Sequence, residues 1–154
     1  MVRERSSFVR RIHLPNHVMF LDVDTVRAQE IIDSSPFGPW WGFTVKAVDP
    51  GVATLSLPAR PEFFRPGDVL QGGCAMTLAD VTCWIAILSV IGPDEPAVTV
   101  NMTTAFLGAA RSDLTCESTL TRTGRRTIYG TATVTDDAGR QVSHHTLTYL
   151  RPGQ

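Results

Sequence analysis

A single acidic residue, Asp80, lies within a long apolar stretch of the chain. It is the only charged residue between Asp68 and Asp94. A helix that is apolar on all sides belongs in a protein core, where an unpaired charge is costly. Asp80 is therefore either a structural acid with hydrogen-bond partners or a catalytic group, and the residues alone leave both interpretations open.

Two adjacent glycines, Gly72 and Gly73, precede Asp80 at the predicted start of this helix. Glycine lets the backbone approach a ligand closely, and the first N–H groups of a helix have no partner within it. The pair therefore indicates an oxyanion-binding site made of backbone N–H groups. A simple tight turn into a helix is the alternative, because glycine pairs often serve that purpose.

The separation of Gly72 and Asp80 along the helix limits how they can act together. Eight residues of α-helix span about 12 Å, so one carbonyl group cannot contact both. If both act on one substrate, they must come from two copies of the chain. On this reasoning the sequence predicts a homodimer.

The elements around the helix are predicted to be strands. Residues 42–48 and 52–57 alternate in polarity around the turn Asp49-Pro50-Gly51, which indicates a hairpin. Their predicted inward residues are Phe43, Val45 and Ala47, then Ala53, Leu55 and Leu57. Four segments rich in Thr and Val follow the helix, at residues 98–107, 114–122, 127–135 and 141–150. A central helix over residues 72–90 with about six antiparallel strands predicts an α+β fold.

The region before the first strand is predicted to be helical over residues 20–34, with Asp22 or Asp24 as its cap. Phe37, Trp40 and Trp41 follow among Gly and Pro residues. They form either a hydrophobic plug, which is the favoured interpretation, or a lid over a ligand pocket. The aromatic residues Trp40, Trp41, Phe63, Phe64 and Trp84 are compatible with an aromatic ligand or an apolar ligand of medium length.

The order of these motifs resembles the hotdog-fold acyl-CoA thioesterases of the PaaI-like group. Gly72-Gly73 followed by Leu78-Ala79-Asp80 carries the resemblance, which continues at residues 97–107, 123–126 and 134–142. It covers about residues 42–150. The resemblance implies a hotdog fold, in which an antiparallel sheet of about six strands wraps a long central helix. We expect one such domain over residues 1–154, with residues 1–19 as a flexible arm.

The resemblance also implies roles for individual residues. Asp80 would attack the thioester carbonyl or activate a water, and the Gly72 N–H of a second subunit would hold the oxyanion. Thr99 matches a position where a hydroxyl orients the water, although a solvent-facing strand Thr is equally compatible. The implied assembly is a homodimer or a dimer of dimers, and no cofactor is needed beyond the coenzyme A of the substrate.

Two residues depart from the family pattern. Gln71 replaces the usual His before the glycine pair and is expected to act among the catalytic residues, while Arg65 replaces an Asn or Gln. Arg65 either lies near Asp80 and weakens it as a base, or binds coenzyme A phosphates. With Gly73, it is a predicted substrate contact. Arg125 and Arg126, after Gly124, are further predicted phosphate contacts, with a solvated turn as the alternative.

Charge and composition exclude several other functions. The net charge of −1 gives no electrostatic case for binding nucleic acid or an anionic membrane, and residues 78–91 are too short to span a bilayer. The three cysteines fit no disulfide or metal spacing and indicate a reducing cytoplasm. His144 and His145 are adjacent on a strand and point to opposite faces, so no metal site is expected.

Three alternatives to a thioesterase that uses Asp80 remain. Gln71 and Arg65 leave open a non-catalytic acyl-CoA binding protein on the same fold. A hotdog hydratase is less favoured, because no His lies near Asp80 in the sequence. Cys74 at the helix start is a conceivable nucleophile, but a packed thiol is the favoured interpretation.

Overall fold

The computed structural model describes residues 23–153 as one long helix packed on a six-stranded antiparallel sheet. The helices are α1 (Thr25–Ser34), α2 (Gly38–Trp41) and α3 (Gly72–Ile91), and a 3₁₀ turn spans Pro61–Phe63. The strands are β1 (Thr44–Asp49), β2 (Val52–Leu57), β3 (Phe64–Arg65), β4 (Val69–Leu70), β5 (Val98–Phe106), β6 (Leu114–Thr123), β7 (Thr127–Thr135) and β8 (Gln141–Leu150). The large sheet has the order β1-β2-β6-β7-β8-β5, while β3 and β4 form a separate hairpin. The predicted α+β architecture is confirmed.

The central helix α3 begins at Gly72 and ends before Gly92. Gly92 has a φ of 90°, a backbone conformation that glycine adopts easily and residues with a side chain rarely adopt. It packs mainly against β6 and β2. Contrary to the sequence-based expectation, it is long and apolar enough to cross a membrane, with 20 residues and a mean hydropathy of 2.0. However, 67% of its most apolar window is buried inside the protein. This burial is what a core helix shows, so the apolar surface of α3 is explained by the sheet beneath it.

The alternating strand pattern predicts the buried face with one error. Ala53, Leu55 and Leu57 of β2 are at most 1% exposed, as expected. Phe43, just before β1, and Val45 on β1 are buried, but Ala47 is exposed, so the inward prediction for Ala47 is wrong. The register of β1 on β2 shifts between Val45 and Ala47, and this β-bulge reverses the side on which the following residues lie.

Within residues 23–153, strand β5 forms one edge of the sheet and pairs only with β8. It carries exposed apolar side chains at Val98 (47%), Val100 (55%) and Phe106 (58%). An edge strand presents unpaired backbone N–H and C=O groups that can pair with another strand. The edge at β5 is therefore suited to pairing with a second chain.

The first described helix, α1, is anchored to the start of the sheet. Its cap is Asp24, whose carboxylate accepts a hydrogen bond from the Arg27 N–H at 2.8 Å. The Gln29 side chain bridges to β1, because it accepts from the Val45 N–H at 2.8 Å and donates to the Phe43 carbonyl at 3.1 Å. Asp22, residues 20–21 and the predicted arm over residues 1–19 lie outside the described residues.

Candidate active site

Asp80 is half-buried on α3, and two hydroxyl groups hold its carboxylate. Thr99 on β5 donates to Oδ1 at 2.8 Å, and the Tyr149 hydroxyl on β8 lies 2.5 Å from the same oxygen. Among residues 23–153, Oδ2 has no hydrogen-bond partner. One oxygen therefore fixes the orientation of the carboxylate and the other remains available to react.

Tyr149 is the part of this site that the sequence analysis misses. It is 2% exposed, and its hydroxyl also lies 2.8 Å from the backbone carbonyl of Asp80. Burial and the nearby Asp80 charge raise the pKa of the Tyr149 phenol, so the group stays protonated and donates. The available signal was the inward alternation of Leu147 and Tyr149 on β8, because a buried Tyr hydroxyl needs a partner.

A cavity of about 330 Å³ opens beside Asp80. Its polar lining is Asp80, Thr77, Thr99 and Tyr149, and its apolar lining is Phe37, Trp41, Val81, Trp84 and Ala97. Trp41 also packs on two other rings. Its ring centroid lies 5.9 Å from that of Phe43, on which it stacks, and 5.2 Å from that of Phe63. The aromatic segment therefore both fills a gap in the core and forms one wall of the Asp80 cavity.

The glycine pair at the start of α3 offers one free N–H rather than two. Gln71 caps the helix, because its side-chain oxygen accepts from the Gly73 N–H at 2.8 Å. Gly73 is thereby occupied, which argues against its predicted contact with substrate. The Gly72 N–H has no partner within the described part of the chain. Gln71, expected in a catalytic role, acts here as the helix cap. Because it occupies the Gly73 N–H, the Gly72 N–H is the donor that remains available.

A Cβ at either glycine would lie close to a neighbouring side chain. A Cβ on Gly72 would lie 2.9 Å from the Phe106 ring, and one on Gly73 would lie 2.7 Å from the Gln71 side-chain oxygen. Neither glycine has a positive φ. Residues of the chain itself therefore occupy the space expected for an approaching ligand on the Cβ side of each glycine.

Gly72 lines a second cavity, of about 580 Å³. Its other lining residues include Arg65, Gln71, Ala75, Phe106, Leu107 and Val142. Of the residues that the structure describes, none lines both this cavity and the Asp80 cavity. One chain thus keeps the two predicted groups apart, as their helical spacing predicts.

Arg65 lies with Gly72 and not with Asp80 of the same chain. Its exposed guanidinium donates to the Pro66 carbonyl at 3.0 Å. Arg111 holds the hairpin that carries it, donating to the carbonyls of Gly67 and Asp68 at 2.9 and 2.8 Å. Arg65 therefore stands on an anchored hairpin at the edge of the Gly72 cavity.

Arg125 and Arg126 are exposed in the turn between β6 and β7 and line neither cavity. The Arg126 carbonyl accepts from the Arg151 N–H at 2.8 Å, just after the end of β8. Because Tyr149 also lies at that end of β8, the turn is at the Asp80 end of the sheet. The structure places the two arginines near the Asp80 cavity without bringing them into it.

The remaining reactive side chains are buried or otherwise engaged. Burial raises the pKa of the Cys74 thiol, so a nucleophilic Cys74 is not supported. Burial also raises the pKa of Cys83 to about 11 and that of Cys116 to about 12. His144 contacts Thr133, whereas His145 is fully buried between Ser143 and Thr104. Among residues 23–153, no three His, Cys, Asp or Glu residues cluster in a way that could hold a metal ion.

Comparison with known proteins gives one family and several similar folds. The family model described as the thioesterase superfamily matches residues 67–143. A proposed esterase of Thermoplasma acidophilum is 25% identical over 108 residues, covering 70% of this chain and 81% of that protein.

Two solved structures illustrate the shared fold. Zebra fish thioesterase superfamily member 2 superposes with a TM-score of 0.76 at 22% identity, over 84% of this chain and 99% of that one. The E. coli PaaI protein from the phenylacetic acid degradation operon has a TM-score of 0.75 at 19% identity, over 82% and 91%. The predicted hotdog fold and the resemblance to PaaI-like proteins are confirmed.

Proposed function

Because this chain belongs to the thioesterase superfamily, we propose that it hydrolyses an acyl-CoA thioester to a free acid and coenzyme A. The family and the esterase-named relative support thioester hydrolysis in general. The observation that carries the proposal is the Asp80 carboxylate, with one oxygen held by two hydroxyls and the other free beside a largely apolar cavity.

In the proposed reaction, Asp80 Oδ2 attacks the thioester carbonyl carbon or takes a proton from a water that does so. Thr99 and Tyr149 keep Oδ2 aimed at the carbonyl. The negative charge that develops on the carbonyl oxygen is held by a Gly72 N–H. Collapse of the tetrahedral intermediate breaks the C–S bond. If Asp80 activates a water, the free acid forms directly and the departing thiolate takes the proton that Asp80 removed from that water. If Asp80 attacks, a mixed anhydride with its carboxylate forms, and a water then hydrolyses this anhydride, which releases the acid, restores the carboxylate and supplies the proton for the thiolate.

The Gly72 donor comes from a second copy of the chain, since the two groups lie about 12 Å apart on one helix. Met102 lies at the middle of the edge strand β5. Antiparallel pairing of two β5 strands about Met102 would place Thr99 of one copy opposite the partner's Ala105, one residue from the partner's Phe106. Because Thr99 contacts Asp80 and Phe106 contacts Gly72, this pairing joins the two cavities into one site. We therefore propose a homodimer as the active unit, which can associate further as a dimer of dimers.

Coenzyme A is the proposed carrier because Arg65, which lines the Gly72 cavity, and two arginines at the Asp80 end of the sheet form no ion pair within the described residues. Arg65, Arg125 and Arg126 are exposed, and none forms an ion pair among residues 23–153. Guanidinium groups bind phosphates well, and coenzyme A carries several. The free cysteines fit a reducing, cytoplasmic location, which is also part of the proposal.

Replacing Asp80 with Asn tests this function. Asn has the same shape and retains an oxygen that accepts from Thr99 and Tyr149, so the fold is expected to persist. Loss of a general base lowers turnover by about 10²–10⁴-fold. Hydrolysis of a panel of acyl-CoA esters by purified wild-type and variant protein is the measurement. Tight binding of acyl-CoA without turnover by the wild type would favour the non-catalytic binding protein instead.

A further inference from the structure

Two aromatic rings that pack edge to face on each other line the Asp80 cavity. Trp84 lies one helical turn after Asp80 on the same face of α3, about 6 Å along the helix axis. Phe37 approaches from the segment before α2, and its ring centroid lies 6.4 Å from that of Trp84 at an angle of 61°. Both rings line the cavity. An acyl chain that extends from Asp80 along α3 would therefore meet them.

The segment that carries Phe37 is held firmly against its surroundings. A Cβ on Gly38 would lie 2.0 Å from the Ile32 carbonyl oxygen, so only glycine lets α2 pack this closely on α1. Gly42 ends α2 with a φ of 75°. Behind Phe37, Trp41 is fixed by its stacking on Phe43. The aromatic wall is therefore part of the packed fold and cannot move aside without repacking its neighbours.

Building on the proposed function, we propose that Phe37 and Trp84 limit the length of the acyl group, so that the enzyme prefers short acyl chains. With the thioester carbonyl at Asp80, the acyl chain meets the Trp84 ring within about 6 Å along the helix. The cavity volume of about 330 Å³ lies at the lower end of the range of about 300–1,000 Å³ for ligand pockets. A long chain would have to separate the Trp84 and Phe37 rings, which pack on each other.

The test compares kcat/KM for hexanoyl-CoA, dodecanoyl-CoA and hexadecanoyl-CoA in the full-length protein and three variants. Trp84→Ala and Phe37→Ala each open the far side of the cavity. Tyr129→Ala is the matched control, because Tyr129 is 39% exposed, as is Phe37, and lies outside the cavity. A hydrophobic pocket discriminates by about 10–200-fold for each methylene group it accepts or rejects. We therefore expect wild type and Tyr129→Ala to favour hexanoyl-CoA over the longer esters by at least about tenfold.

Each opening variant is expected to raise the dodecanoyl-to-hexanoyl ratio of kcat/KM by about tenfold or more, with hexanoyl turnover retained. Equal use of the three esters by the wild type would overturn the inference, as would an unchanged ratio in both opening variants. If Trp84→Ala does not fold, the result for Phe37→Ala tests the inference, because Phe37 is partly exposed and its truncation disturbs the core less. A wild type that hydrolyses none of the three esters would overturn the proposed function itself. A wild type that hydrolyses all three equally would overturn only the inference about chain length.

Discussion

Substituting proline for Gly72 removes one hydrogen-bond donor and little else. Gly72 is the first residue of α3, where proline is favoured because its missing N–H would be unpaired in any case. The preceding residue, Gln71, has a φ of −63° and a ψ of 146°, the extended conformation that a residue before proline adopts. The Gly72→Pro variant is therefore expected to fold with α3 intact.

The expected loss of activity follows from the role of the Gly72 N–H as the only free donor at this helix start within the described residues. Removal of one oxyanion donor typically lowers kcat by about 10²–10³-fold, or about 2.7–4 kcal/mol of transition-state stabilisation. Because the donor acts on charge that develops only in the transition state, KM should change little.

Gly72→Ala is the matched control for this experiment. It brings the same Cβ against the Phe106 ring, which is 58% exposed and can move aside, but it keeps the N–H. Steady-state kinetics with one acyl-CoA ester, together with circular dichroism, compare the three proteins. Equal kcat values for Gly72→Pro and Gly72→Ala would refute the assignment of the Gly72 N–H as the oxyanion donor.

Two further predictions concern the hydrogen-bond partners of Asp80 and the titration of His145. Thr99→Val and Tyr149→Phe should each lower kcat by about tenfold with KM little changed, because Asp80 loses part of its fixed orientation; wild-type kcat in both would contradict the positioning role. Burial and His144 lower the pKa of His145 to about 4 from 6.5. As pH falls from 6.5 to 4, the unfolded chain binds a proton that the folded chain does not, so the free energy of unfolding should decrease by up to about 3 kcal/mol. Urea unfolding across this range should show the decrease in wild type and a flatter dependence in His145→Gln, and identical pH dependence in the two proteins would contradict it.

The sequence predicts the strands and the central helix well because their signals are local. Alternation predicts the bounds of β7 and β8, and the apolar run predicts α3 to within one residue. The error at Ala47 has a physical cause, since a bulge inserts one residue and leaves no mark in the polarity pattern.

The site is less predictable because its contacts join distant parts of the chain. Asp80 and the Gly72 end of the helix stand out in the sequence, but Tyr149 is separated from Asp80 by 69 residues. The selection of Gly72 over Gly73 depends on the rotamer of one side chain, that of Gln71. Neither detail can be derived without the folded geometry.

Activity in mixed dimers tests most directly whether each site combines Asp80 of one copy with Gly72 of another. Asp80→Asn and Gly72→Pro are each expected to be inactive alone. After the two variants are unfolded and refolded together, half of the dimers are hybrids, and each hybrid has one of its two sites intact. If the sites are shared between the two chains of a symmetric dimer, the mixture should recover about a quarter of wild-type activity. No recovery in mixtures shown to contain hybrid dimers would contradict it, because a site built within one chain would then be defective in every subunit.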